Sequence, residues 1–192
     1  MARMCRLVRA GRGVDAQWRR DGDTLLISPA GGAPLAVDLA EVAGIGGDGF
    51  TISLRLPGGD VALERLGGDG PTLLGELRRD WPPLRAAALR LADGGAPGEV
   101  FAGTIDRGGS RTAFGGFFVD GRLVVAPEGD DCFALFAADW ASVALDAGAC
   151  AVRASGWDGA TITFSRLGAR TDAFGAAAGA AREGLAQAAA RT

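Results

Sequence analysis

The stretch Val61-Ala-Leu-Glu-Arg-Leu-Gly67 recurs 101 residues later as Ile162-Thr-Phe-Ser-Arg-Leu-Gly168, so the chain reads as one fold written twice. Each copy alternates apolar and polar positions, with Val61 and Leu63 answered by Ile162 and Phe164, the period-two signature of a half-buried strand. Each ends at a Gly, the residue best able to turn the backbone sharply, and leads into a segment of helical period. The junctions Arg65-Leu66-Gly67 and Arg166-Leu167-Gly168 are therefore read as structural.

Upstream of the first junction the chain is a series of short extended runs. Arg6–Arg9 and Val14–Arg20 predict two strands, and the Asp21-Gly22-Asp23 turn predicts that Thr24–Ser28 returns antiparallel. Pro29 ends that run because it lacks the ladder N–H. Pro34–Leu39, Val42–Gly46 and Phe50–Leu56 follow, the last with Phe50, Ile52, Leu54 and Leu56 expected on one buried face. After Gly67 the period changes. Leu73, Leu77, Trp81 and Leu84 fall on one stripe of a helix at about 70–92, with Asp69 as cap and Pro71 in the first turn. Pro82-Pro83 is expected to kink or break it.

Asp93–Gly98 reads as the linker, giving repeats over 1–95 and 96–192. In the second repeat Glu99–Asp106 and Thr112–Val119 are the first strands, Asp120-Gly121 repeats the Asp-Gly turn, and Leu123–Pro127 matches Leu25–Pro29. Phe136–Trp140 lies against Leu35–Leu39 after a loop three residues longer. Thr171 or Asp172 is expected to cap a last helix at about 172–190, with Phe174, Ala178, Ala181 and Leu185 as its buried stripe. Aligned without gaps, 35–74 and 136–175 share ten identities, a count inflated by Ala and Gly, so the ordered recurrence of turn, X-Pro stop, central Asp and Arg-Leu-Gly junction carries the inference.

Seven short strands followed by one amphipathic helix is the order of elements in pleckstrin-homology-like (PH-like) domains, and the tandem copies resemble the small bacterial versions of that fold over the whole chain. The resemblance implies a mainly β protein with C-terminal helices: two tandem seven-stranded PH-like barrels, each capped by an α-helix. Lipid-binding members place basic residues around the first hairpins. The matching positions here are Arg19 and Arg20, flanked by Asp21 and Asp23, and only Arg122 in the second copy, which departs from that pattern.

Chemistry is mostly excluded. The chain has no His and no Lys, so Ser-His or Cys-His nucleophile pairs, His-ligated metals and lysine Schiff bases are ruled out, and no catalytic, metal or cofactor site is expected. Its basic residues are all Arg, which reads as a high-GC coding bias. Cys5, Cys132 and Cys150 lack disulfide or zinc spacing, and Cys132 and Cys150 are expected to pack in the core or at strand edges. The acidic loop Glu128, Asp130 and Asp131 is read as a solvated surface, and Trp81 and Trp140 as core, with Trp157 exposed.

Arg3, Arg6, Arg9, Arg12, Arg19 and Arg20 face only Asp15 in the first twenty residues, a local +5 that leaves the remainder at −8 from a total of −3. Such an arm can meet an anionic lipid surface, or it can be the wet side of a terminal edge strand whose inward residue is Leu7. No signal peptide or membrane span is read, so a reducing cytoplasm is the default. The expectation is a non-enzymatic interaction or scaffolding module with an unidentified protein partner and no nucleic acid. Weak membrane contact through the arginines is the alternative.

Overall fold

The structure, a computed structural model, describes residues 2–92, 99–128 and 131–189, without the side chains of 185–189. The linker Asp93–Gly98, Asp130 and the side chain of Leu185 lie outside the described residues. The first repeat forms β1 (Arg3–Arg9), β2 (Arg12–Asp21), β3 (Thr24–Pro29), β4 (Leu35–Asp38), β5 (Gly44–Gly47), β6 (Thr51–Arg55) and β7 (Val61–Glu64), followed by α1 (Asp69–Ala92). The second forms β8 (Phe101–Arg107), β9 (Ser110–Val119), β10 (Arg122–Pro127), β11 (Phe133–Phe136), β12 (Trp140–Asp146), β13 (Ala151–Gly156) and β14 (Thr161–Ser165), followed by α2 (Thr171–Ala189). Each repeat is one antiparallel seven-stranded sheet. The orders, β4-β3-β2-β1-β7-β6-β5 and β11-β10-β9-β8-β14-β13-β12, are the same arrangement twice.

Neither sheet closes on itself by hydrogen bonds: β4 and β5, and likewise β11 and β12, are its two edges. A short 3-10 segment, Leu39–Glu41 or Ala137–Asp139, bridges each gap, and the helix of that repeat packs there. Trp81 Nε1 donates to Val42 O at 2.9 Å and Arg85 Nη1 to Ala40 O at 3.1 Å. In the second repeat Arg182, 101 residues after Trp81, donates from Nε to Trp140 O at 3.1 Å. Inside the first sheet Leu73, Leu77 and Trp81 meet Leu25, Ile27, Ile52 and Leu63. Inside the second, Phe174 meets Phe101 edge-to-face and Phe164 at a tilt, at 5.1 and 4.8 Å between centroids.

Several expectations are corrected. β1 is not an edge strand but the middle of its sheet, paired with β2 through Leu7↔Val14 and with β7 through Leu7↔Leu63. Its arginines therefore do not guard an edge: Arg3 and Arg9 end the row of Cys5 and Leu7, and Arg6 lies on the other face. Phe50 falls before β6, in a turn where Asp48 Oδ1 accepts from the N–H groups of Phe50 and Thr51, and the ring is 68% exposed. Val42 ends the 3-10 segment instead of starting a strand. α1 runs unbroken through Pro82-Pro83. Proline's fixed φ is itself helical, so the pair removes two N–H donors without forcing the chain out of the helix. Tertiary packing holds the segment on both sides. Thr171 lies inside the helical turn and its hydroxyl donates to Gly168 O at 2.9 Å, so it does not cap through its oxygen.

The second side of α1 fixes the two repeats relative to each other. Ala86 is buried against Phe117 and Ala126 of β9 and β10, with Leu89, Val119 and Val124 around them. A Cβ built on Gly115 would sit 2.0 Å from Pro82 O, so the helix backbone rests directly on the strand. Arg90 lies over the Phe117 ring at 5.3 Å and donates to Phe118 O at 3.1 Å. The corresponding positions of the first sheet, Gln17, Arg19, Leu26 and Ser28, are polar except for Leu26, so no equivalent face invites a further helix.

The two junctions share an unusual backbone. Arg65 and Arg166 have φ of 56° and 55°, and Gly67 and Gly168 have φ of 59° and 61°. A Cβ at either glycine meets nothing within 4 Å, so the left-handed conformation alone penalises a side chain there. Gly67→Val and Gly168→Val are each expected to lower unfolding free energy by about 1–3 kcal/mol. Urea melts that do not move for either variant would show that the turn relaxes freely.

Candidate functional site

Arg3, Arg19 and Arg20 line one cavity with Trp18, Asp21 and Glu76, whereas Arg6, Arg9 and Arg12 are not part of it. Arg3 pairs with Asp69 at 3.3 Å and lies over the Trp18 ring, 5.2 Å from its centroid. Arg6 lies across Gly13 on the outer face of the sheet. Arg9 points to Gly58 O at 3.4 Å, and Arg12 sits exposed at the start of β2. Arg19 approaches Asp21 at 3.9 Å, and Arg20 pairs with Asp80 at 2.8 Å and Glu76 at 3.8 Å. Asp80 is held below the usual carboxylate range, first by its hydrogen bond from Arg79 and then by Arg20, against the opposing effect of burial. Four of the six thus have a carboxylate or carbonyl within reach, which lowers the charge they offer to an anionic surface.

The carboxylates of the acidic loop that are described face arginines of the first repeat. Glu128 pairs with Arg78 at 2.7 Å and Asp131 with Arg55 at 2.9 Å. The Asp131 pair is solvent-exposed and contributes about 0–1 kcal/mol, whereas the Glu128 pair is half-buried between the repeats. Cys5 is buried, and burial pushes its thiol up to about 11, so it is an inert packing group. Cys132 is half-buried beside Arg85; burial raises its thiol and the guanidinium partly offsets that. Cys150, expected to pack, is instead exposed in the β12–β13 turn at φ 48°.

A cavity of about 600 Å³ lies at one end of the second sheet. Leu135, Trp140, Ala154 and Ile162 line its apolar part, and the rings of Phe136 and Trp157 flank it. Arg107, Asp139 and Asp158 add one guanidinium and two carboxylates. The β13–β14 hairpin builds one wall: Gly156 N donates to Ala160 O at 2.7 Å, Gly159 takes φ 81°, and Asp158 Oδ1 accepts from Ala160 N at 2.9 Å. Trp157 is 72% exposed and Phe136 53% exposed. The indole is nonetheless fixed, with Nε1 donating to Ala138 O at 3.0 Å and its backbone N–H to Asp139 O at 3.2 Å. Holding a large ring in solvent by two hydrogen bonds preorganises apolar surface that the free protein does not bury.

The same corner of the first repeat is smaller, about 220 Å³, and is lined by Arg9, Leu35, Asp38 and Leu56. Leu35 and Leu56 pack onto the core there. Asp38 caps the 3-10 segment by accepting from Ala40 N at 2.9 Å. In the second repeat that segment begins at Ala137, Phe136 takes the place of Asp38 with no side-chain cap, and Asp139, in the place of Glu41, stands exposed at the cavity.

Of this site, exposure of Trp157 was legible in the sequence, because it stands beside an Asp-Gly turn and outside any apolar alternation. Phe136, Arg107, Asp139 and Asp158 were not singled out. The alignment of Phe136–Trp140 with Leu35–Leu39 is corrected by the structure: the loops before β4 and β11 are equal in length, so Phe133 takes the place of Leu35 and Phe136 that of Asp38. No protein-family model matches this chain, and no curated protein matches it either.

Proposed function

We propose that the chain is a non-enzymatic interaction module made of two PH-like barrels, with the second-repeat cavity as its binding site. Three features support the barrel reading: the strand order common to both sheets, the central pairing of first and last strands, and the helix packed at the gap between the two edges. One observation carries the binding reading. Trp157 is a 72% exposed indole, fixed by a side-chain hydrogen bond, beside a cavity whose equivalent in the first repeat is smaller. Divergence of two copies at one position, toward a wider aromatic opening, fits selection for a bound group rather than for packing. The placement of reactive groups argues the same way, since neither buried Cys5 nor the arginine-paired carboxylates offers a nucleophile or a general acid.

Site-specific photocrosslinking tests this. With benzoylphenylalanine in place of Trp157, irradiation in the native host is expected to give a discrete adduct, absent when the same group replaces Gln17 on the opposite repeat. Equal labelling from both positions would remove the assignment. The membrane alternative predicts something else: sedimentation with anionic vesicles at low salt, lost on replacing Arg3, Arg6, Arg9 and Arg12 with Ser. The expected result is no vesicle binding, because the arginines that meet are faced by Asp21, Asp69, Glu76 and Asp80 and the remainder of the chain is acidic.

A further inference from the structure

We infer that the second-repeat cavity receives an arginine side chain from an extended segment of a partner protein; this rests on the cavity being the binding site. The aromatic groups come first. Phe136, Trp140 and Trp157 present rings to one space of about 600 Å³, and ring faces attract cations, most strongly the indole. The charges come second. Asp139 and Asp158 stand against the single guanidinium of Arg107, a local balance of −1, and Arg107 already lies over the Phe133 ring at 6.0 Å. Asp139 is exposed at the end of the 3-10 segment, so it can take a donor from a ligand.

A guanidinium suits this lining better than an ammonium, since its planar face stacks on indole while its edge N–H groups reach a carboxylate. The volume exceeds what one cationic head requires and leaves room for the aliphatic stem and flanking backbone. Leu135 and Phe136 belong to β11, an edge strand paired only with β10, so an extended segment has access along that side.

The test uses the full chain and three acetylated, amidated peptides, Gly-Leu-X-Leu-Gly, in which X is arginine, its neutral isostere citrulline, or glutamate. Binding is followed by tryptophan emission and by ligand-observed NMR. The arginine peptide is expected to bind at least about fivefold more tightly than the citrulline peptide, the glutamate peptide most weakly. Asp139→Asn, which removes charge at an exposed position with little change of shape, should erase most of that preference while leaving the melting temperature unchanged. Trp157→Ala should weaken both arginine and citrulline peptides. Equal affinity for arginine and citrulline would overturn the cation assignment and leave an apolar peptide site. Tightest binding of glutamate would overturn it in favour of Arg107 as the selecting group. Failure of every peptide to bind overturns this inference, whereas the crosslinking from position 157 judges the cavity independently.

Discussion

Gly115→Val is expected to uncouple the two repeats and to lower unfolding free energy by about 3 kcal/mol or more. Gly115 lies in β9 opposite Ala102 and Ala126, with extended backbone, so the substitution meets no conformational penalty of its own. The cost comes from outside the strand. A Cβ there would stand 2.0 Å from Pro82 O, 2.3 Å from Pro82 C and 2.7 Å from Pro83 N, all helix backbone that no rotamer change can move aside. α1 must therefore lift from the sheet, exposing Ala86, Phe117 and Ala126, which are at most 1% exposed. The first repeat's own core, on the opposite side of the helix, does not depend on that contact. A single urea transition in the parent should become two, and fluorescence and circular dichroism should cease to coincide. Gly75→Ala, at an open position on the same helix, is the control and should melt at or slightly above the parent. One sharp, unshifted transition for Gly115→Val would show that the helix does not bear on the strand.

The part of this architecture legible in the sequence is the part set by local period. Alternation about Ile52, Leu54, Val61 and Leu63 placed these residues inside, because a strand with one wet face can present only every second residue to the core. Which strand lies in the middle is a property of pairing across the sheet, and nothing near Leu7 announces that β1 joins both β2 and β7. Phe50 looked like the first step of an alternating run, but Asp48 captured the local N–H groups and ended the turn there. The docking of α1 had a signal that passed unused. The segment Ala113–Val119 is apolar or glycine on both faces, whereas the matching Asp15–Asp21 is polar on one, and a strand without a polar face is covered on both sides.

Core volume was also redistributed in a way no single position reveals. Trp18 of the first repeat corresponds to Gly116, while Ala16 corresponds to Phe114, so one strand exchanges its large and small residues between neighbouring inward positions. Leu39 and Val42 likewise become Ala137 and Trp140, and Leu77 becomes Ala178. Each exchange conserves the filling of a close-packed interior while hiding the repeat from residue-by-residue comparison. The site residues Arg107 and Asp139 were hidden differently: both stand where the first repeat has residues of the same charge, Arg9 and Glu41, so charge alone does not mark the second corner.

The same exchange separates the two helices in energy, and the second large effect follows from it. Trp81→Ala is expected to destabilise the protein by about 3–5 kcal/mol, the range for deleting a fully buried large aromatic. The ring is 0% exposed, packed in the first core, and its removal also leaves Val42 O without the donor it has at 2.9 Å. Trp81→Phe keeps most of the volume and loses the N–H, so it should cost less, about 1–3 kcal/mol from the unmet carbonyl. Arg182 occupies the corresponding turn of α2 and makes the corresponding bond, to Trp140 O at 3.1 Å, but it is only partly buried and its aliphatic stem contributes little to a core that Phe174 already fills. Arg182→Ala should therefore cost about 1 kcal/mol, the net value of an ordinary hydrogen bond. The order Trp81→Ala, then Trp81→Phe, then Arg182→Ala follows from burial, whereas equal losses for Trp81→Ala and Arg182→Ala would mean that the shared hydrogen bond, and not the apolar filling of the first sheet, holds these helices in place.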